Sequence, residues 1–188
     1  MELTTMIVLG VIGLMFLFVI VTYNGLIKKK NDADNAFATI DVMLRQRWDL
    51  IPNLVSTVKQ YAEHESNTLL EVTRLRESAS AGKGTPDERI ALDNQISKTI
   101  GGLMVRLEAY PQLRAAENFQ QLQRSLNETE AQIAAARRTF NATATEYNTA
   151  CQMFPTNIFA QMFNFKTRAL LETPAEMRET PNVRNLFK

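Results

Sequence analysis

The sequence predicts an all-α protein: a single N-terminal transmembrane helix followed by an up-and-down bundle of long antiparallel helices, of the four-helix type. Three observations carry that prediction. The stretch from Met6 to Tyr23 contains no charged side chain. From Phe37 to Tyr61, apolar residues recur at alternating three- and four-residue spacings, which places them on one face of a helix. From Gln112 to Phe154 the same alternation continues without a glycine or a proline.

The first element, MIVLGVIGLMFLFVIVTY, includes Met6, Leu14, Phe16, Phe18 and the boundary residue Tyr23. At about 1.5 Å per helical residue it matches the hydrocarbon thickness of a bilayer. A cleaved signal peptide is the competing reading. No basic residue precedes the stretch, no small-residue cleavage pattern follows it, and no cysteine is near enough to be lipidated, so the sequence favours an anchor. Lys28, Lys29 and Lys30 follow the span, and the positive-inside rule puts them on the cytoplasmic side. The expectation is a single-pass protein of the inner (cell) membrane, with its N-terminus outside and its helical domain in the cytoplasm. Gly10 and Gly13 lack the four-residue spacing of a helix-dimer motif.

The second element runs from Asn24 to Glu65. Its row is Phe37, Ile40, Leu44, Arg47, Ile51, Leu54, Val58 and Tyr61, and Trp48, Val55 and Leu69 widen the stripe enough for two packing neighbours. Pro52 costs ~3 kcal/mol in a helix interior, so a kink is expected between Trp48 and Pro52. A third segment, Ser66 to Ala81, carries Leu69, Val72 and Arg76 and ends near Gly82 and Gly84. Thr85-Pro86-Asp87-Glu88 reads as a helix start, with threonine as the cap and proline in the first position. The row that follows is Ile96, Ile100, Leu103, Leu107 and Tyr110. Gly101 and Gly102 interrupt it at ~2 kcal/mol relative to alanine, and close backbone packing is the expected reason.

Pro111 ends that helix or restarts the next. The last row is Phe119, Leu122, Leu126, Thr129, Ile133, Ala136, Phe140, Thr143, Tyr147, Ala150 and Phe154, which reads as five heptads. Such a row suits an intramolecular seam or a coiled coil between subunits, and its Thr, Ala and Tyr favour the bundle. Four alternating segments would return Phe154 to the membrane end, whereas three would leave the tail far from lipid. The His64 to Asn67 run is the candidate turn that gives four. On that count Ile158, Phe159, Met162, Phe163 and Phe165 lie at the membrane face or seal the bundle base. The organisation expected is residues 1–27 as the terminal segment and span, 28–154 as the bundle, and 155–188 as an apolar tail containing Pro155, Pro174 and Pro181, packed on the bundle or near the membrane.

The blocks IDVMLRQRWDLIPNLVSTVKQYAEHE and AYPQLRAAENFQQLQRSLNETEAQIAAARRTFNATATEYNTACQMFPTN, in that order and spacing, resemble the LemA family of bacterial membrane-anchored proteins. The resemblance extends over nearly the whole chain and rests on Asp41 to Asn53, Tyr110-Pro111, Asn118-Phe119, Thr129-Glu130, Arg137-Arg138, Tyr147-Asn148 and Phe154-Pro155. It implies a short outer segment, one membrane helix and a helical bundle. It implies no reaction. Phe140 departs from the tyrosine expected there, which touches only a phenolic hydroxyl.

Composition narrows the chemistry. With 188 residues, 45% hydrophobic and 22% charged, the part outside the span makes one domain. A net charge of +1 and the lack of a basic run interleaved with aromatics disfavour nucleic acid. His64 lies between Glu63 and Glu65, but neighbours on a helix point apart and there is no second histidine, so no metal site is assigned. Cys151 lacks a nucleophile's setting and reads as packing. The Gly82-Lys83-Gly84 turn is too short to cradle a phosphate, so neither a cofactor nor a small-molecule substrate is implied.

Arg47 stands in an apolar row. It pairs with Asp41, Asp49, Glu130 or Glu146, or packs its stem and sends its guanidinium to solvent. Arg47, Trp48, Pro52, Arg137, Arg138, Phe154, Pro155, Phe159 and Phe163 are the structural or interaction candidates, and none reads as catalytic. The composition favours a membrane-anchored scaffold or assembly protein that works through protein contacts, with itself as a homo-oligomer or with another membrane protein. An adaptor or sensor in a membrane signalling or proteolytic quality-control pathway is the alternative. An enzyme fits least, because the chain has one His, one Cys and no nucleophile motif.

Overall fold

The computed structural model describes residues 2–81 and 86–171. Those residues are all-α and contain no strand. Six helices follow in order: α1 (Glu2–Lys59), α2 (Ser66–Ser80), α3 (Pro86–Leu107), α4 (Pro111–Ala115), α5 (Glu117–Gln152) and α6 (Thr156–Met162), with a 3-10 turn at Glu63–Glu65 before α2. The chain divides into two compact units, one drawn from Met1–Phe37 and Arg137–Lys188, the other from Ala38–Ala136.

Local chemistry sets the breaks. Helix α1 is a single run of 58 residues that stays helical through Pro52, whose ring is exposed. It ends where the Tyr61 and Ala62 amides both turn back onto the Val58 carbonyl, at 3.0 and 2.9 Å. The expected turn at His64 to Asn67 therefore begins a few residues earlier. Pro86 opens α3, where its missing N–H has no helical partner to lose; Gly82, Lys83, Gly84 and the expected cap Thr85 lie outside the described residues. The helix expected from Gln112 onward is broken, because Ala116 is extended (φ −69°, ψ 124°). Gln120 compensates by donating its side-chain amide to the Arg114 carbonyl at 3.0 Å.

In the unit formed by Ala38–Ala136, the buried row of α1 is Ile40, Leu44, Arg47, Ile51, Leu54 and Val58, as its spacing predicted. Tyr61, past the helix end, is exposed. Helix α2 buries Leu69, Val72, Leu75 and Ala79, so Leu75 rather than Arg76 holds the third place of its row. The Arg106 side chain donates to Glu65 Oε2 at 3.2 Å and to Thr68 Oγ1 at 2.9 Å, so the end of α3 meets the start of α2 and the two run antiparallel. Gly101 and Gly102 contradict their expectation. Both are exposed, and a Cβ built on either meets nothing within 4 Å, so no close packing explains them.

In the other unit, Leu26 of α1 joins Tyr147, Cys151 and Ala160 in one buried cluster. Helix α5 runs antiparallel to α1 here: Lys29 pairs with Glu146 at 3.5 Å, and the Phe37 and Phe140 rings meet edge-on at 5.5 Å. The five-heptad row is followed without a break only to Phe140, and past it Tyr147 alone keeps its place. Beyond it Ala144, Tyr147 and Cys151 are buried, while Thr143 and Ala150 are half-buried and Phe154 is 79% exposed. A straight helix drifts by ~20° per heptad against a 3.5-residue repeat, so after three heptads the face has turned by ~60° and Ala144 and Cys151 are buried in place of Thr143 and Ala150.

Helix α6 follows the cis Phe154–Pro155 bond. It closes with the Phe165 amide on the Ala160 carbonyl (2.8 Å) and the Asn164 amide on the Gln161 carbonyl (3.2 Å). Asn164 sits at φ 57°, the left-handed cap of a Schellman motif, which asparagine tolerates better than most residues. The chain then returns along α5, tied by side-chain amides. Asn148 donates to the Arg168 carbonyl at 2.8 Å and accepts the Arg168 amide at 2.7 Å. Asn141 repeats this pairing with Leu171, at 2.9 Å in both directions.

Candidate functional site

The most concentrated polar chemistry among the described residues is a buried ionic cluster in the Ala38–Ala136 unit. Arg47 is 2% exposed and Asp93 fully buried. Arg47 pairs through Nη2 with the Asp93 carboxylate and through Nη1 with Glu130, and Nη2 also donates to the Asp93 carbonyl at 3.1 Å. The Trp48 indole N–H donates to Asp93 Oδ1 at 3.2 Å, so Arg47 and Trp48, adjacent on α1, hold the same carboxylate. A second pair, Arg89 Nη1 to Asp41 Oδ1 at 2.6 Å, joins the same two helices four residues before Asp93 on α3. The two contacts advance together along both chains, so α1 and α3 run in the same sense.

This arrangement fixes helix register. A guanidinium offers only donors and here meets carboxylate and carbonyl acceptors, so each charge is matched in a place where an unmatched one would cost several kcal/mol. Among the described residues no group of three or more His, Cys, Asp or Glu side chains gathers as a metal site.

The structure separates the sequence candidates. Arg47 and Trp48 come together, and Glu130 is one of the four carboxylates named as a partner for Arg47. Asp41, Asp49 and Glu146 do not pair with it, and its burial rules out a solvent-facing guanidinium. Asp93 was missed. Its signal was present, since it falls three residues before Ile96 and three after Ile90 and so interrupts the apolar row of α3 as Arg47 interrupts that of α1. Pro52 and Arg138 face solvent, and Arg137 is half-buried.

Phe154, Pro155, Phe159 and Phe163 gather in the other unit. Phe159 meets Phe18 edge-on at 5.8 Å, and Tyr23 meets Phe163 at 4.9 Å and Phe165 at 5.8 Å. The Tyr147 hydroxyl donates to the Lys166 carbonyl at 2.9 Å. Burial, reinforced by the neighbouring Cys151 thiol, pushes the phenol's pKa up to about 12.

Helix α1 also carries the candidate membrane span, the one stretch among the described residues long and apolar enough to cross a bilayer. Residues 2–18 all stand exposed.

A sequence model of the LemA family matches residues 36–184. The chain belongs to the LemA family. The match takes in the whole Arg47–Asp93–Glu130 cluster. Protein LemA of Metamycoplasma hominis is 25% identical over 177 residues, covering 93% of this chain and 81% of that protein. Magnetosome protein MamQ of Magnetospirillum gryphiswaldense is 27% identical over 169 residues, covering 77% of this chain. Magnetosome protein MamQ 2 of Paramagnetospirillum magneticum is 25% identical over the same length. This LemA-family chain spans 62% of either MamQ protein, less than two thirds of their length. None of these names states a reaction.

Proposed function

We propose that this LemA-family chain is a membrane-anchored helical scaffold that acts through protein contacts, including contacts with copies of itself, and that it is not an enzyme. The observation that carries this reading is α1. One unbroken helix holds both the exposed apolar stretch and the buried row from Ile40 to Val58. The antiparallel pairing of α2 with α3 and the parallel sense of α1 and α3 support an up-and-down, four-helix arrangement of 38–59, α2, α3 and α5. Lys28, Lys29 and Lys30 support a cytoplasmic bundle on a single pass through the inner membrane. Mass photometry of the detergent-extracted full chain tests self-association: particles of several chains are expected, and a uniform monomer across the accessible concentration range rejects it.

An adaptor or sensor that serves a different membrane protein, in signalling or proteolytic quality control, is the second reading. Gly101 and Gly102 favour it, because an exposed glycine pair in a helix lowers stability by ~2 kcal/mol and no described residue packs against it. Crosslinking in cells followed by identification of the captured chains separates the two readings.

A further inference from the structure

We propose that the Tyr147–Phe165 turn is a second membrane element, a cap embedded in the headgroup and upper acyl region beside the spanning helix. The proposal rests on the reading of Met6 to Tyr23 as a span. Two charge-free stretches meet in this unit. The first lies between Glu2 and Lys28, and the second between Glu146 and Lys166, where no Asp, Glu, Lys, Arg or His occurs. Their ends coincide in space, because Lys29 pairs with Glu146 at 3.5 Å and the Tyr147 hydroxyl reaches the Lys166 carbonyl at 2.9 Å. Charged groups therefore stop at one level on α1, on α5 and on the returning chain, and past that level no charged side chain occurs until Glu2 at the far end of α1. A charged side chain at depth in lipid costs several kcal/mol, so a common stopping level marks a water boundary.

Ring contacts give the depth. Phe163 and Phe165 pack on Tyr23, at the edge of the span, and Phe159 packs on Phe18, five residues further in, about 7 Å at the helical rise. Interfacial segments bury their apolar faces by roughly 5–10 Å. What faces outward is also apolar: Met153, Phe154, Ile158, Met162 and Phe163 are exposed, Phe154 at 79% and Met162 at 62%. This surface is continuous with the exposed side chains of the span, so the same lipid that covers Phe16 and Val21 covers it. Exposed Gln152 and Gln161 amides in the same turn suit a shallow position rather than the bilayer centre.

The test places an environment-sensitive fluorophore on single cysteines in the full chain, with Cys151→Ala as background, reconstituted in vesicles with nitroxide-labelled lipids. Positions are I158C, M162C, V21C as the span control and R124C as the water control; the helical circular dichroism of each is compared with the parent. Quenching at 158 and 162 within about twofold of that at 21, strongest with a label near the headgroup, is the expected result. Quenching at 21 but not at 158 or 162 overturns the cap and leaves the anchor intact. In that event, disulfide crosslinking between unlabelled M162C chains would identify a second copy as the cover. Absence of quenching at 21 overturns both the span and the cap.

Discussion

Arg47 and Asp93 each interrupt the apolar row of their own helix, and each supplies the charge the other lacks. Removing Arg47 strands the buried Asp93 carboxylate, a loss of ~3–5 kcal/mol, and removing Asp93 leaves the buried guanidinium only the partly exposed Glu130. Asp93→Ala is therefore expected to lower the melting temperature far more than Glu130→Gln, whose carboxylate is partly exposed. The double variant Arg47→Met, Asp93→Leu recovers most of the loss. A double variant less stable than Asp93→Ala alone would show that packing, not charge matching, governs the site.

The drift of the buried stripe along α5 makes a positional prediction. Ile133→Ala opens a cavity in the Ala38–Ala136 unit and costs ~2–5 kcal/mol, whereas Arg124→Ala on the exposed face stays within ~0.5 kcal/mol. Past Phe140 the faces have shifted. Ala144→Leu overpacks a fully buried position at ~1–3 kcal/mol, while Thr143→Leu, on the row a strict heptad would bury, is tolerated. Thermal melts of the four variants in one detergent check both halves.

Gly101 and Gly102 stand in open space inside α3, so alanine fits without a clash and removes the entropic penalty of glycine. Each Gly→Ala change is expected to raise stability by ~1 kcal/mol. Coupling the melt to a pull-down in cells decides between the two functional readings: a stabilised variant that loses a crosslinked partner assigns the bare backbone to that partner.

Alkaline pH separates Tyr147 from the rest of the protein. Its phenol titrates near 12 when folded and near 10 when unfolded, so the folded state holds its proton across that window and the unfolded state does not. Its contribution is complete below pH ~10 and disappears as pH rises towards 12. Tyr147→Phe is expected to flatten the fall in melting temperature between those values. Parallel slopes for the two proteins would exclude the effect.

The orientation is open to a labelling test. Ser56, exposed on α1, accepts a cysteine in a Cys151→Ala background. A membrane-impermeant maleimide applied to intact cells is expected to leave S56C unlabelled until the cells are lysed; rapid labelling of intact cells would invert the topology.

What the sequence made legible was the part governed by spacing. The α1 row from Ile40 to Val58 and the apolar row of α3 follow from helical periodicity, and burial agrees with them, whereas the break before α2, read from the polar run His64 to Asn67, begins a few residues before it. Charge pairing was half legible. Glu130 stands among the candidate carboxylates, but Asp93 lies one step ahead of the α3 row that begins at Ile96. Spacing could not reveal the emptiness around Gly101 and Gly102, since a glycine against a backbone and a glycine against solvent leave the same letter in the chain. The break at Ala116 is likewise invisible to composition, because alanine is the best helix former and yet stands extended beside the Gln120 to Arg114 contact.

The Lys29–Glu146 pair has a consequence in time. Lys29 belongs to the run taken to orient the span, and its partner is synthesised roughly a hundred residues later, several seconds at about 5–20 residues per second. On the proposed orientation, the lysines act on the span before Glu146 has been made. Only when α5 folds back does Glu146 reach Lys29. On the proposed orientation the same lysine would serve first as a topogenic signal during translation and afterwards as half of a tertiary contact, and Glu146→Gln would disturb the second role while leaving the first intact.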